Sequence, residues 1–226
     1  MDLEFTFEYD NLNIKDITYP RIFLAGPVVR GSSFKDSWRY EAINILEKLD
    51  FPGGVFIPEE REWNESELDE KYIEKMHVWE WDHLAQSDII LFWIPRNIKN
   101  GVYGYTTNIE FGYWISYDPY KVVLGHPKDA DMMEYIDDLY NKIGPGRLSG
   151  PLFKEYEYKI TYTLKDTIIK AMKILSTRYK SINKNFDKIN DIEPEGGAIY
   201  IPGEVLKNIN ISPDEMKDIK IINGVE

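Results

Sequence analysis

Aromatic side chains that could stack on a nucleobase are concentrated in one part of the 226-residue sequence, where all six tryptophans lie between residues 38 and 114. Stacking of a base on an aromatic face contributes about 1–3 kcal/mol. Trp38, Trp79 and Trp81 are therefore candidates for the wall of a base-binding pocket, although each could equally be a structural residue. Trp93 lies within an apolar run and is predicted to belong to the core.

Several other kinds of chemistry lack the residues that they need. The sequence has no cysteine, which excludes disulfides, thiolate zinc sites and cysteine nucleophiles. His77, His83 and His126 are scattered without the spacing of metal ligands, so we predict no metal site. No Ser-His-Asp arrangement and no glycine-rich dinucleotide fingerprint is present, and no cofactor is expected.

Short apolar runs alternate with segments of helical spacing along residues 21–125. The first run ends in Gly26-Pro27, which predicts a buried strand that enters a loop. Alternation of apolar strands and helices is typical of a parallel sheet that is covered on both faces. We therefore predict an α/β fold with a flavodoxin- or Rossmann-like parallel sheet. The predicted strands are 21–25, 55–58, 89–94 and 121–125, and the predicted helices are 34–49, 71–86 and 109–117.

Ligands of such sheets bind beyond the carboxyl ends of the strands. By this rule the loops that follow Ala25, Ile94 and Leu124 are candidates for a binding site. Gly26 and Pro27 shape the first of these loops, where a bare backbone allows close approach of a ligand.

Charged and aromatic residues near the same edge of the sheet extend the set of candidates. Arg39, on the first helix, and Arg96, after the third strand, are cations close to the predicted cleft, and either could instead be the structural partner of an acidic neighbour. Tyr103 and Tyr105 could close over a base. Residues 59–70 are acidic and are predicted to form a solvated loop.

Three short segments lie at the predicted strand ends and helix starts. They are IFLAGP at 22–27 followed by SWR at 37–39, WE at 79–80 followed by SDIILFWIPR at 87–96, and TNIEFGYW at 107–114. In this order and spacing the segments resemble the nucleoside 2-deoxyribosyltransferase superfamily, and more narrowly its 2-deoxyribosyltransferase-like branch. The resemblance covers about residues 20–140.

The resemblance implies that Glu110, in the third segment, is a nucleophile. A carboxylate that attacks the anomeric carbon of a nucleoside expels the base and leaves a covalent glycosyl ester, which a second nucleophile opens with overall retention of configuration. Glu110 is expected near the first turn of a helix, where the helix dipole and backbone N–H groups favour its ionised form. The alternative is a capping or solvated helix residue.

The second segment implies a second carboxyl group, which would protonate or hydrogen-bond the departing base. Counting back from Asp88 points to Glu80, and Asp82 is the alternative. On a helix, positions 80 and 82 project about 200° apart, so both cannot face one pocket. Asp88 itself is expected to start a strand and to cap local backbone groups.

The other residues with an implied binding role lie in the same segments and loops. Arg30 belongs to an Arg/Ser loop comparable to one that holds the 5′-phosphate of nucleoside monophosphates in some relatives, and a plain surface turn is the alternative. Gly112 is expected to allow close backbone packing. Ile22 and Gly104 stand where relatives carry Tyr and Asp. The predicted substrate-binding residues are Gly26, Pro27, Arg30, Trp38, Arg39, Trp79, Arg96, Thr107, Asn108 and Gly112.

The C-terminal part of the sequence differs from the rest. Residues 154–181 predict a strand followed by a helix, and the polar residues 183–196 predict a linker between a domain of residues 1–182 and a small strand-helix-strand appendage of residues 197–226. The appendage weakly resembles half of a swapped-hairpin transition-regulator domain, a DNA-binding family that is usually basic. Because the formal net charge is −12, a nucleic-acid partner is disfavoured, and packing or oligomerisation is the predicted role of the appendage.

Composition and resemblance together predict a cytoplasmic enzyme. The longest apolar run has six residues, against the about 20 that a membrane-spanning helix needs, and the N-terminus lacks the pattern of a secretion signal. The resemblance implies N-glycosidic bond cleavage or base exchange on a nucleoside or nucleotide, in a homo-oligomer. The alternative is a non-catalytic nucleotide-sensing module whose C-terminal element binds a partner.

Overall fold

Five parallel strands form a single sheet. The computed structural model of the chain describes residues 4–7, 14, 17, 19–28, 34–59, 70–145 and 159–179. Within these ranges the strands are β1 (Glu4–Phe7), β2 (Arg21–Ala25), β3 (Gly54–Ile57), β4 (Ile89–Trp93) and β5 (Val122–Gly125).

The order of the strands in the sheet is β1-β3-β2-β4-β5, and every neighbouring pair is parallel. Strands β2 to β5 follow the flavodoxin-like order, to which β1 adds an edge next to β3. The order reverses direction between β2 and β4 because the chain first adds β3 on one side of β2 and then β4 on the other. Such a reversal opens a crevice at the carboxyl ends of the two strands, which is where open α/β sheets bind ligands.

Helices cover both faces of the sheet, so the predicted α/β class is confirmed. On one face, α1 (Trp38–Lys48) and α5 (Leu164–Tyr179) pack in one apolar core, and the opposite face carries a second core. Residues of β4 alternate between the two cores, as a parallel strand buried on both faces requires. The helices of the second face are α2 (Glu70–Gln86), α3 (Tyr105–Tyr117) and α4 (Glu134–Ile143).

The sheet and α5 are joined through Asp88, at the start of β4. Its carboxylate accepts hydrogen bonds from the backbone N–H of Arg21, at 2.7 Å, and from the hydroxyl of Tyr179, at 2.5 Å. Burial raises the pKa of Asp88, and these two hydrogen bonds oppose the rise. The prediction that Asp88 begins a strand and caps backbone groups is confirmed.

Several boundaries differ from the sequence-based predictions. Strand β1 was not predicted, and α3 begins at Tyr105 rather than at residue 109. The helix predicted within residues 154–181 is confirmed as α5, whereas residues 146–158 lie outside the described part of the chain. The predicted linker and appendage also lie outside it. No helix in the described ranges is both long enough and apolar enough to cross a membrane.

Candidate active site

Gly26 lies at the carboxyl end of β2, where the strand order reverses. Its φ of +155° is a backbone conformation that other residues rarely adopt. A Cβ atom at this position would lie 2.1 Å from the carbonyl oxygen of Trp93, at the end of β4, and 2.9 Å from the ring of Trp38. The backbones at the ends of β2 and β4 are therefore too close together for a side chain at position 26.

Gly26→Ala is expected to lower the free energy of unfolding by about 3 kcal/mol or more, because it combines backbone strain with an overlap that a rigid strand end cannot relieve. Urea denaturation measures the change. Gly101→Ala is the matched control, since Gly101 has a φ of +77° but a Cβ there would meet nothing within 4 Å. Equal losses in the two variants would contradict the close approach at Gly26.

Arg39, on α1, is a buried cation that binds the end of β2. Its side chain is only 1% exposed. Nε donates to the carbonyl oxygen of Leu24 at 3.0 Å, and Nη2 donates to that of Gly26 at 2.7 Å. Nη1 donates to Glu59 Oε2 at 3.2 Å, in a buried ion pair. Each nitrogen of Arg39 thus has an acceptor within the protein. This arrangement suits a residue that fixes the end of β2 and places a positive charge beside it.

Three carboxyl groups act electrostatically on the Arg39 guanidinium. Burial lowers the pKa of Arg39, and the negative charges of Glu59, Glu80 and Glu110 oppose this, with Glu59 contributing most. These residues come from different parts of the fold: Glu59 follows β3, Glu80 lies on α2 and Glu110 lies on α3. The fold thus assembles one cation and three acidic groups next to the crevice between β2 and β4.

Glu110 is half-buried in the second turn of α3, five residues after the first residue of the helix. The expected position near the first turn was therefore wrong, because α3 begins at Tyr105. Burial raises the pKa of Glu110 above its ordinary value of 4.5, and the positive charge of Arg39 opposes the rise. Desolvation disfavours the ionised form of Glu110, and the charge of Arg39, rather than helix N–H groups, offsets part of that effect.

Glu80 and Asp82 point to different sides of α2. Glu80 is half-buried and acts electrostatically on Arg39, whereas Asp82 is exposed to solvent. The buried side of the same helix carries His83 and Leu84, which lie one turn further along from Glu80. Of the two acidic candidates on α2, Glu80 is the one whose charge acts on the same buried cation as that of Glu110.

The candidate tryptophans differ in their surroundings. Trp38 is half-buried, donates its indole N–H to Pro27 O at 3.1 Å, and has the Arg39 guanidinium 4.6 Å from its ring centre. Trp79 stacks on His83 with ring centres 3.8 Å apart and packs against the second core, so much of one ring face is occupied. Trp81 is 64% exposed on α2 and stacks on His77. Trp93 belongs to the core, as predicted.

Arg96, after β4, holds the loop that leads into α3. Its Nε donates to Tyr103 O at 2.9 Å, its Nη1 donates to Met132 O at 2.8 Å, and its Nη2 donates to Asn108 Oδ1. Arg96 and Asn108, both predicted to bind substrate, are thus bonded to each other. Thr107 is buried in the same turn. This arrangement makes Arg96 a residue that positions the start of α3, and with it Glu110.

The remaining predicted residues are placed as follows. Gly112 is not required for close packing, contrary to the expectation, because a Cβ atom there would meet nothing within 4 Å. Pro27 lies beside the start of α3, where a Cβ on Gly104 would be 3.4 Å from Pro27 Cβ. Arg30 lies outside the described residues. Tyr103 and Tyr105 stack on each other and are exposed.

Glu59 was missed by the sequence analysis. The acidic composition of residues 59–70 predicts a solvated loop, but Glu59 is buried and bonded to both Arg39 and Ser37. One signal could have identified it, since Glu59 follows β3 and thus lies at the carboxyl end of a strand. The residues after it, 60–69, lie outside the described part of the chain.

The chemistry available to this site is that of carboxyl groups. Glu80 and Glu110 both act electrostatically on one buried cation, Arg39, and a carboxyl group can serve either as a nucleophile or as a proton donor. In the described parts of the chain, no group of three or more His, Asp or Glu side chains is arranged to hold a metal ion.

Comparison with known proteins gives one family match, and it covers the segment that contains the candidate site. No curated protein matches the chain significantly. A protein family described as "Nucleoside 2-deoxyribosyltransferase like" matches residues 19–129, which include β2 to β5 and the residues Arg39, Glu59, Glu80 and Glu110. Residues 19–129 therefore match the nucleoside 2-deoxyribosyltransferase-like family, which the three sequence segments resemble.

Proposed function

We propose that the protein cleaves the N-glycosidic bond of a nucleoside or nucleotide, or exchanges its base, through a covalent intermediate on Glu110. The observation that carries the proposal is that Arg39 is buried against the end of β2, where this fold binds ligands, and that Glu110 and Glu80 both act electrostatically on its charge. The match of residues 19–129 to a family named for nucleoside 2-deoxyribosyl transfer supports a nucleoside-type substrate.

In the proposed first step, an ionised Glu110 oxygen attacks the anomeric carbon of the sugar. The bond from this carbon to the base nitrogen breaks, and its electron pair leaves with the base. Glu80 in its protonated form donates its proton to the departing base, so that a glycosyl ester on Glu110 and a neutral base are formed. A retaining pair of this kind has its carboxyl groups about 5–5.5 Å apart.

In the second step, water or another base attacks the same carbon from the opposite side. The ester bond breaks, Glu110 leaves as a carboxylate, and the attacking group passes a proton to Glu80. Two inversions give overall retention of configuration. Arg39 stabilises the ionised state of Glu110 in the free enzyme and after release.

The direct test is incubation of the protein with deoxynucleosides, ribonucleosides and their 5′-monophosphates, with free base measured by chromatography. Base release by at least one class, together with an intact-mass adduct of the sugar on the protein after rapid quenching, is the expected result. Tight binding without any base release would instead support the non-catalytic nucleotide-sensing alternative.

The proposed nucleophile gives the reaction a defined dependence on pH. Because burial raises the pKa of Glu110 above 4.5, only a fraction of the enzyme carries the ionised nucleophile at mildly acidic pH. We expect kcat/KM to rise with pH through an acid limb that lies above the ordinary glutamate pKa. A pH profile of base release measures the limb. A limb at or below 4.5 would contradict the role of a desolvated Glu110 as the ionised group.

We further propose that the protein self-associates through the outer face of α3. Tyr105, Ile109, Tyr113 and Tyr117 are spaced by four residues, so they lie along one line of the helix, and they are 58–74% exposed. Glu110 is the only charged residue of α3. Two copies of a chain of net charge −12 repel each other through their acidic surfaces, so an uncharged face is where they can meet.

The size of this face also suits a second copy. Four large side chains exposed to this extent offer on the order of 500 Å² of surface. A stable interface buries about 800 Å² on each partner, so the line of four residues would be the central part of such a contact. We also propose that this oligomeric enzyme is cytoplasmic, as the sequence leads us to expect.

Tyr113→Asp is expected to convert a dimer into a monomer, because it places a charge in the middle of the apolar contact on both copies. Sedimentation velocity at several protein concentrations measures the change. Tyr40→Asp is the control, since Tyr40 is exposed on α1, which packs on the opposite face of the sheet. A wild-type protein that remains monomeric at high concentration would contradict self-association.

A further inference from the structure

Glu59 occupies a buried position at the edge of the candidate active site. Its carboxylate oxygen Oε2 accepts one hydrogen bond from the hydroxyl of Ser37, at 2.7 Å, and another from Nη1 of Arg39, at 3.2 Å. Ser37 is the N-cap of α1, and its hydroxyl also accepts from the backbone N–H of Arg39 at 3.2 Å. Glu59 is thus fixed between the start of α1 and the guanidinium that follows it.

The second observation is that the three hydrogen bonds of Arg39 go to groups other than the two proposed reacting carboxyl groups. Its three nitrogens bond to Leu24 O, Gly26 O and Glu59, so its effect on Glu80 and Glu110 acts through the electric field. A carboxylate in direct contact with a cation cancels much of that field at other sites. Because Glu59 is in such contact with Arg39, its charge opposes the field of Arg39 at other groups.

In the described part of the chain, the carboxyl groups that act electrostatically on Arg39 come from different elements of the fold. Arg39 is on α1, Glu59 follows β3, Glu80 is on α2 and Glu110 is on α3. With one cation among three carboxyl groups, removal of one negative charge makes the local field more positive. The ionised form of each remaining carboxyl group is then easier to reach.

We propose that Glu59 is a positioning residue of the glycosyl site, which clamps the Arg39 guanidinium and limits the stabilisation that this cation gives to ionised Glu110. The inference rests on the proposed function, since it assigns Glu59 a role in setting the pH at which the nucleophile becomes active. Glu59 does not touch the reacting atoms and acts through Arg39.

Glu59→Gln tests this role, because glutamine keeps the shape of the side chain and an acceptor oxygen but removes the charge. The acid limb of kcat/KM should move to lower pH, so that the variant is faster than the wild type at the acid end of the profile even if it is slower at neutral pH. A merely structural role would lower activity at every pH and leave the limb in place. Glu47→Gln, an exposed change on α1, is the matched charge control and should not move the limb.

A second measurement separates this inference from the proposed function. The carboxyl carbon of Glu110 can be titrated by NMR in protein labelled with ¹³C-glutamate, with its signal assigned by its loss in Glu110→Gln. Its midpoint should fall in Glu59→Gln relative to the wild type, whether or not the protein releases any base. An unchanged or higher midpoint would overturn the inference, whereas absence of base release with a lowered midpoint would overturn only the proposed function.

Glu59→Asp covers the case in which Glu59→Gln does not fold. Aspartate keeps the charge but withdraws it from Arg39 by one methylene, so the Glu110 midpoint should fall in the same direction by a smaller amount. Circular dichroism establishes that each variant is folded before it is titrated. A midpoint that rises in Glu59→Asp would overturn the inference as well.

Discussion

Glu110→Gln is expected to lower kcat/KM for base release by about a thousandfold or more, on any nucleoside or nucleotide that the wild-type protein cleaves. Glutamine has nearly the same shape as glutamate, but its neutral amide cannot attack the anomeric carbon and form the glycosyl ester. Chromatographic measurement of free base under single-turnover conditions reports the loss. The covalent sugar adduct should also disappear from the intact-mass spectrum.

Two further variants show whether the loss of activity is specific to the proposed nucleophile. Glu80→Gln should reduce base release by about a hundredfold to ten-thousandfold, as expected for loss of a general acid, while the adduct remains detectable with substrates whose leaving group needs no proton. Glu47→Gln should be as active as the wild type, because Glu47 is exposed on α1. Full base release by Glu110→Gln would refute the assignment of the nucleophile.

The activity loss can be separated from a folding defect, because Glu110→Gln should not weaken the fold at neutral pH. Burial raises the pKa of Glu110, so the folded protein holds this proton more tightly than the unfolded chain does. The resulting stability is complete below the ordinary pKa of 4.5 and is lost as pH rises through the raised value. The Tm of Glu110→Gln should therefore equal or exceed that of the wild type at neutral pH, with no advantage in acid. A large drop in Tm would point to a structural role.

Much of the fold could be predicted because its central strands are short, continuous runs of apolar residues. The run 89–94 is apolar throughout and is buried on both faces, so length and composition identify it as a strand. Strand β1 has the sequence EFTF, in which charged or polar residues alternate with two phenylalanines, so it lacks the continuous apolar run that identified the other strands.

The start of α3 was missed for a different physical reason. Its N-cap is Gly104, which has a φ of +68° and no side chain that could cap the helix, so the usual Ser, Thr, Asp or Asn signal is absent. Tyr105, Thr106 and Thr107 have low helix propensity. The turn is held by Arg96, which contacts it across a loop, and a contact of that kind cannot be read from local sequence.

In the candidate site too, residues in local sequence motifs could be predicted, whereas contacts between distant residues could not. Glu110 and Glu80 were selected through a family resemblance, while the arginine that faces both was considered only as one of several cations near the cleft. The pairing of Arg39 with Glu59 joins residues 20 positions apart in the chain. The acidic run that begins at Glu59 resembles a solvated loop, and only the fold reveals that its first carboxylate turns inward.

Arg39→Met is expected to lower the free energy of unfolding by about 3–5 kcal/mol, the range found when one partner of a buried ion pair is removed. Methionine fills part of the volume of the side chain but donates no hydrogen bond. The Glu59 carboxylate then remains buried without its cation, and the carbonyl groups of Leu24 and Gly26 lose their donors. Urea denaturation at neutral pH measures the loss. Lys142→Met, in the exposed ion pair with Asp138, is the control and should cost less than about 1 kcal/mol.

A double-mutant cycle decides whether the loss comes from the ion pair or from lost packing. If the buried charge of Glu59 is what makes Arg39→Met costly, the same substitution should cost less in a Glu59→Gln background, because no carboxylate is left uncompensated there. Equal costs in the two backgrounds would assign the effect to the hydrogen bonds with Leu24 and Gly26 instead. Since those two carbonyl groups lie at the end of β2, either result identifies Arg39 as the residue that ties α1 to the strand end where Glu110 is proposed to act.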